Sequence, residues 1–98
     1  MEFQDPVTPV DVIAVFNPSG RIKPLYIRAE ASDHTLHTFP VRRVLLSRRE
    51  HYGGIRRVHY QCEVDPGSGS LECMDIFYNI DTHRWMIEPE YWDPDRIS

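Results

Sequence analysis

No stretch of this sequence is apolar for long enough to cross a bilayer. A membrane-spanning helix needs roughly 18 apolar residues, and every run here is far shorter. Residues 1–6 lack both the basic and the apolar region of a secretory signal peptide. These absences predict a cytoplasmic protein without membrane contact. The lack of tails and linkers of the eukaryotic kind favours a bacterial source.

Cysteine is scarce as well. Cys62 and Cys73 are too few for a disulfide framework, so we expect two reduced, buried, small hydrophobic residues. A six-residue loop at 65–70 would place the two cysteines opposite each other across a hairpin, where a strained disulfide is the alternative. No lysine or helix N-terminus nearby favours a reactive thiolate, which argues against a redox role.

Motifs of catalysis and metal binding are also missing. The sequence has no nucleophile elbow, no P-loop and no dinucleotide fingerprint, and its histidines are scattered apart from the pair His34 and His37 in a polar loop. Asp75 lies among apolar neighbours as a partly buried carboxylate, without a catalytic partner at a defined spacing. We therefore expect no enzyme, no cofactor and no metal site.

The length and composition fit one domain. The chain has 98 residues, of which 41% are hydrophobic, near the commonest domain size of roughly 100–150 residues. We divide it into an N-terminal arm at 1–9, a β domain at 10–88 and an acidic, aromatic tail at 89–98.

The first half of the β domain predicts a hairpin. Residues 10–16 are rich in β-branched side chains and end at the turn sequence of residues 17–20, which is typical of a largely buried strand. Residues 22–30 alternate and pair with it. Because Pro24 cannot donate a backbone hydrogen bond, this second strand starts late or lies at an edge.

The second half predicts further strands. Residues 41–50 fit a strand with a bulge near Arg42 and Arg43, or alternatively a short helix ending near Gly53. Residues 55–64 alternate, and the turn-rich segment 65–70 separates them from strands at 71–80 and 84–88. One face of the 55–64 strand holds Val58, Tyr60, Cys62 and Val64, and one face of the 71–80 strand holds Met74, Ile76, Tyr78 and Ile80.

Six strands joined by short turns favour an all-β fold. Consecutive strands usually pair, and closure of a short, twisted sheet removes its exposed edges. The prediction is a small antiparallel meander that closes into an SH3-like barrel. An α+β fold with one short helix at 41–50 is the alternative.

Charge is distributed unevenly along the chain. The net charge is −4, but residues 41–60 carry +5, residues 61–98 carry −7 and residues 1–40 carry −2. A turn at residues 51–54 would place Arg49 opposite Arg56 and Arg48 opposite Arg57, and opposed like charges destabilise a sheet. An external anion, internal acidic residues or water alone could offset this repulsion. The internal candidates are Glu63, Glu88, Glu90, Asp93 and Asp95.

Aromatic residues fall into three groups. Trp85, Tyr26 and Phe16 are core candidates. Tyr52, with Tyr60 and His51, lies near the arginines and could stack on unpaired bases. Tyr91 and Trp92 follow the last predicted strand, where they either fasten the tail to the barrel or anchor a partner.

Several short motifs carry a resemblance. Residues 20–24 (Gly-Arg-Ile-Lys-Pro), 43–45, 53–62 and 83–85 (His-Arg-Trp) resemble, in this order, a set of short uncharacterised bacterial proteins that form a domain of unknown function. These motifs are turns and strands spread over most of residues 10–88. The resemblance implies an all-β fold, and it transfers no functional residue.

Two functions therefore remain open. The first is a non-enzymatic module for protein binding or self-association, with Tyr91 and Trp92 as candidate anchors. The second is an accessory domain that binds nucleic acid or another anion. Its candidate residues are Arg42, Arg43, Arg48, Arg49, Arg56, Arg57 and Tyr52. The acidic total disfavours nucleic acid, since dedicated binders are usually basic.

Overall fold

Six antiparallel strands form a closed barrel in the computed structural model, which describes residues 8–31 and 33–88. The strands are β1 (Thr8–Phe16), β2 (Ile22–Glu30), β3 (Leu36–Tyr52), β4 (Ile55–Val64), β5 (Glu72–Asn79) and β6 (Arg84–Ile87). Each strand pairs with the next, and β6 pairs with β1. The predicted six-stranded barrel is confirmed. The described residues contain no helix, so the α+β alternative with a helix at 41–50 is wrong, and none of them forms a span that crosses a membrane as a helix.

β3 is long because it serves both halves of the barrel. Residues 36–40 pair with β2, and residues 41–52 pair with β4. The register shifts between Val41 and Arg43 and again between Val44 and Leu46, and such bulges bend and twist a strand. The bulge predicted near Arg42 and Arg43 is confirmed, and it lies where β3 changes partner.

β1 also changes partner along its length. Residues 8–10 pair with β6 and close the barrel, whereas residues 11–16 pair with β2. Pro24 is buried beside the register shift between β1 and β2, where β2 pairs with β1 alone among the described strands. This confirms the edge position that its missing N–H required, while β2 itself starts at Ile22 rather than late.

The barrel interior is a single apolar core. The predicted inward face of β4 is confirmed, because its four residues are all buried. On β5 the predicted face is confirmed too, with Ile80 partly buried at its end. The core consists of Ile27, Ala29, Phe39, Val58, Tyr60, Cys62, Val64, Met74, Ile76, Tyr78, Trp85 and Ile87.

Not every predicted core residue lies inside. Trp85 is buried as expected, but Tyr26 and Phe16 are exposed. The prediction that β1 is largely buried is also wrong, because one of its faces carries exposed Ile13 and Val15. The opposite face of β1 packs against the core only through half-buried side chains, Val12 among them.

Candidate interaction site

The turn between β3 and β4 sets the register of the arginine-rich hairpin. Tyr52 pairs with Ile55, so only Gly53 and Gly54 lie in the turn. Both glycines have positive φ, 57° and 83°, as a two-residue type I′ turn requires. The predicted four-residue turn is therefore wrong. Arginine does not oppose arginine at either of the positions predicted.

The shorter turn instead brings opposite charges together. Glu50 pairs with Arg57 across the hairpin, and Arg48 lies opposite His59. Arg48 NH2 also lies 3.4 Å from Glu50 Oε2. The repulsion expected at the paired positions is thus replaced by attraction around Glu50.

Arginines at the bulged part of β3 pair with acids from β4 and the loop after it. Arg42 donates to Asp65 at 2.9 Å, and Arg43 NH2 lies 3.4 Å from Glu63 Oε1. The Arg42 hydrogen bond holds the pKa of the Asp65 carboxyl below its usual range. These pairs are exposed, so each stabilises the fold only slightly.

The hairpin tip carries a similar surface pair and one further arginine. Arg56 donates to the Asp81 carboxylate, and this bond lowers the pKa of Asp81. Arg49 has no ion pair with any of the described residues. With Arg56, His51 and Ile80 it lines an open groove of about 260 Å³.

Arg57 differs from the other five candidate arginines of the hairpin because it is buried. Its Nε donates to Glu50 Oε1 and its NH1 donates to Glu88 Oε1, each at 2.8 Å. The guanidinium carbon lies 4.0 Å from the centre of the Phe77 ring. Only 6% of the Arg57 surface is exposed. Water alone therefore does not offset the charge of this arginine.

His59 lies beside Arg57 on the same outer face of the barrel. Its Nε2 is 2.7 Å from Asp75 Oδ1, and its Nδ1 is 3.8 Å from Glu50 Oε2. Its ring centre is 4.5 Å from that of Phe77. Both ring nitrogens thus face carboxylates of the protein itself, which hold the ring in place.

Together these side chains form a buried polar cluster on the outer face of β4 and β5. We define it as the buried residues Arg57, His59, Asp75 and Glu88 together with the half-buried Glu50 of β3. Sequence reasoning identified Asp75 as partly buried and proposed Glu88 as an arginine partner, and both are confirmed. It missed His59. The sequence did contain a signal, because the alternation of β5 places apolar Phe77 on this outer face. An apolar residue there indicates that part of the outer face is buried.

The outer face of β1 and β2 differs from this cluster because it carries exposed apolar side chains. Ile13 lies opposite Tyr26, and Val15 lies opposite Lys23. The exposed fractions are 64% for Ile13 and 45% for both Val15 and Tyr26. We call Ile13, Val15 and Tyr26 the apolar face. These neighbouring side chains leave apolar surface exposed to water on one side of the sheet.

The cysteines are not a pair. Val64 lies opposite Glu72, so the loop is one residue longer than expected and the register moves by one. Cys62 then points into the core opposite Met74, whereas Cys73 is exposed on the other side of the sheet. The disulfide alternative is wrong, and of the two thiols expected to be buried only that of Cys62 is.

The histidine pair predicted in a loop forms local contacts, but only His34 lies in the loop, because His37 is on β3 and pairs with Ala29. His34 Nδ1 lies 2.8 Å from Glu30 Oε2, and the His37 ring stacks beside Phe39. Over residues 8–31 and 33–88, no three histidine, cysteine or acidic side chains are grouped as a metal ion would need.

The remaining predicted candidates are Tyr52, Tyr91 and Trp92. The backbone of Tyr52 closes the hairpin turn, and its side chain is not described. Tyr91 and Trp92 lie outside the described residues, as do the proposed arginine partners Glu90, Asp93 and Asp95.

Comparisons with known proteins give no match. Neither the family models, nor the curated proteins, nor the solved structures contain one that is similar to this chain.

Proposed function

We propose that this chain is a small, non-enzymatic interaction module that binds another protein through the apolar face. The observation that carries the proposal is the exposure of Ile13, Val15 and Tyr26 together on one side of the sheet. Scattered single apolar residues are normal on protein surfaces, but neighbouring ones on a rigid sheet are typical of binding sites. Tyrosine is also a favoured interface anchor.

Affinity capture tests this proposal. The full chain, Ile13→Lys and Leu71→Lys are immobilised and exposed to the same cell extract. Leu71 is the matched control, because it is half exposed but lies in the loop between β4 and β5. We expect a protein that the wild type and Leu71→Lys retain and that Ile13→Lys loses.

The captured protein is then purified and its affinity is measured directly. A binding constant that weakens at least tenfold for Ile13→Lys supports the proposal, since a lysine would be desolvated against an apolar surface. Equal capture by all three chains contradicts it.

Anion binding by the arginine hairpin is the second candidate, favoured by the groove that Arg49 and Arg56 line. Internal pairing weakens it, because five of the hairpin's six arginines already pair with carboxylates of the described residues, namely Glu50, Glu63, Asp65, Asp81 and Glu88. Fluorescence anisotropy with labelled single-stranded RNA at low and near-physiological salt tests this candidate. Strong binding that falls steeply with salt and is lost in Arg49→Ala would favour it over the apolar face.

A further inference from the structure

β1 has an open backbone edge beside the apolar face. On the side away from β2, it pairs with β6 only through residues 8–10. In the described part of the chain, no strand pairs with residues 11–16 on that side. An unpaired edge presents backbone N–H and C=O groups that can accept another strand.

This edge lacks the protection that another open edge of the sheet, on β3, carries. Residues 41–52 of β3 pair with β4 alone among the described strands, but they include four arginines and two register shifts. Charges and bulges of this kind oppose pairing with a second strand. Residues 12–16 of β1 are Val-Ile-Ala-Val-Phe, with no charge.

We propose that a second copy of this chain pairs with residues 11–15 of β1 and forms a twofold dimer. Two identical strands that pair antiparallel are related by a twofold axis, so the same surface serves both copies. The inference rests on the proposed function, because it names the protein that the apolar face meets.

The side chains select one register, in which Ile13 lies opposite Ile13 of the second copy. Asp11, Ile13 and Val15 point to the same outer face, so this register joins the two apolar faces into one. A continuous row then forms, with Tyr26 at each end and the two isoleucines at its centre.

The same register is complementary in charge. Asp11 lies opposite Val15 of the second copy, whose neighbour on β2 is Lys23. That lysine is on the second strand from Asp11. Because neighbouring strands are spaced by about 4.8 Å, the long lysine side chain can reach the Asp11 carboxylate. Each Asp11 carboxylate already accepts from Arg28 of its own chain and would also accept from Lys23 of the second copy, so a like pair of contacts flanks the apolar row.

The mass in solution is the first test. Sedimentation equilibrium of the full chain over a wide concentration range is expected to show a dimer of twice 11.5 kDa. Ile13→Lys places two ammonium groups against each other on the axis, so we expect its dissociation constant to rise at least tenfold. Leu71→Lys, which adds the same charge elsewhere, should leave it unchanged.

Cross-linking tests the register independently of stability. In a Cys73→Ser background, Ile13→Cys places two thiols on the axis, close enough for a disulfide after mild oxidation with copper phenanthroline. Val15→Cys is the matched control, because the two Val15 positions are four residues out of step, roughly 14 Å apart at about 3.4 Å per residue. Only Ile13→Cys should form a covalent dimer.

Three results overturn the dimer: a monomer at every concentration, a dimer that Ile13→Lys leaves intact, or faster cross-linking at Val15→Cys. None of them by itself contradicts the proposed function. If the chain is a monomer and Ile13→Lys loses the captured protein, the binding surface is retained and its partner is a different protein. Equal capture by all variants would instead remove the surface itself.

Discussion

Two outer faces of one barrel reverse the usual relation between polarity and burial. On β4 and β5, charged Arg57 and polar His59 are buried, whereas on β1 and β2 apolar Ile13 and Val15 are exposed. The buried charges are tolerated because each faces an opposite or hydrogen-bonding group within the same chain. The exposed apolar side chains have no such complement. The first face therefore belongs to the fold, and the second is the one through which we propose that the chain binds a partner.

Breaking the buried polar cluster should have the largest effect on stability. Arg57→Met keeps much of the side-chain volume but leaves Glu50 and Glu88 without their shared cation. Removing one partner of a buried ion pair costs about 3–5 kcal/mol. Urea unfolding followed by circular dichroism measures this loss in the free energy of unfolding.

Arg56→Met is the matched control for Arg57→Met. The two arginines are adjacent, but Arg56 makes its ion pair with Asp81 on the surface. Exposed pairs contribute little, so the urea midpoint should barely move. Equal losses in the two variants would mean that the buried polar cluster contributes no more to the free energy of unfolding than the surface ion pair does.

A smaller loss is expected when the contact between His59 and Asp75 is weakened. Asp75→Asn keeps the shape of the side chain but removes the charge that accepts from His59 Nε2. A poorly satisfied buried polar group costs about 1–3 kcal/mol. The change is measured by urea unfolding at neutral pH. Asp65→Asn provides the surface comparison, and a greater loss there would contradict the assignment.

Thiol reactivity can test where the buried part of the outer face of β5 ends. Along β5, Phe77 and Asp75 are buried, but Cys73 is exposed. Burial raises the pKa of the Cys62 thiol to about 12, so at mildly alkaline pH it has almost no reactive thiolate. We expect an aromatic disulfide reagent to modify one thiol of the native protein, at Cys73. The second should react only in denaturant, and fast labelling of both thiols would contradict the burial of Cys62.

The general fold was predictable because its signals are local. Alternating side chains set the inward faces of β4 and β5, and turn residues divided the strands. The register was harder, since one residue more or less in a loop moves every pair. The Gly53-Gly54 pair is a known signal for a two-residue hairpin turn. Giving it more weight would have placed Glu50, rather than Arg48, opposite Arg57.

The candidate site was less predictable because it depends on contacts between distant strands. Glu88 lies 31 residues after Arg57 in the sequence, and only closure of the barrel brings them together. The exposure of Ile13 was equally hidden, since a β-branched run is typical of a buried strand. The one local sign was Asp11, a charged residue that alternation places on the same face as Ile13 and Val15.

The smallest effect on stability is expected at the apolar face. Ile13→Thr keeps the β-branch that favours a strand, and its position is 64% exposed. At concentrations low enough to keep the chain monomeric, the free energy of unfolding should change by less than about 0.5 kcal/mol. A large loss would show that Ile13 supports the barrel itself, and the contrast between the two faces would fail. A small loss, together with weaker association, would mean that this side chain serves a surface outside its own fold.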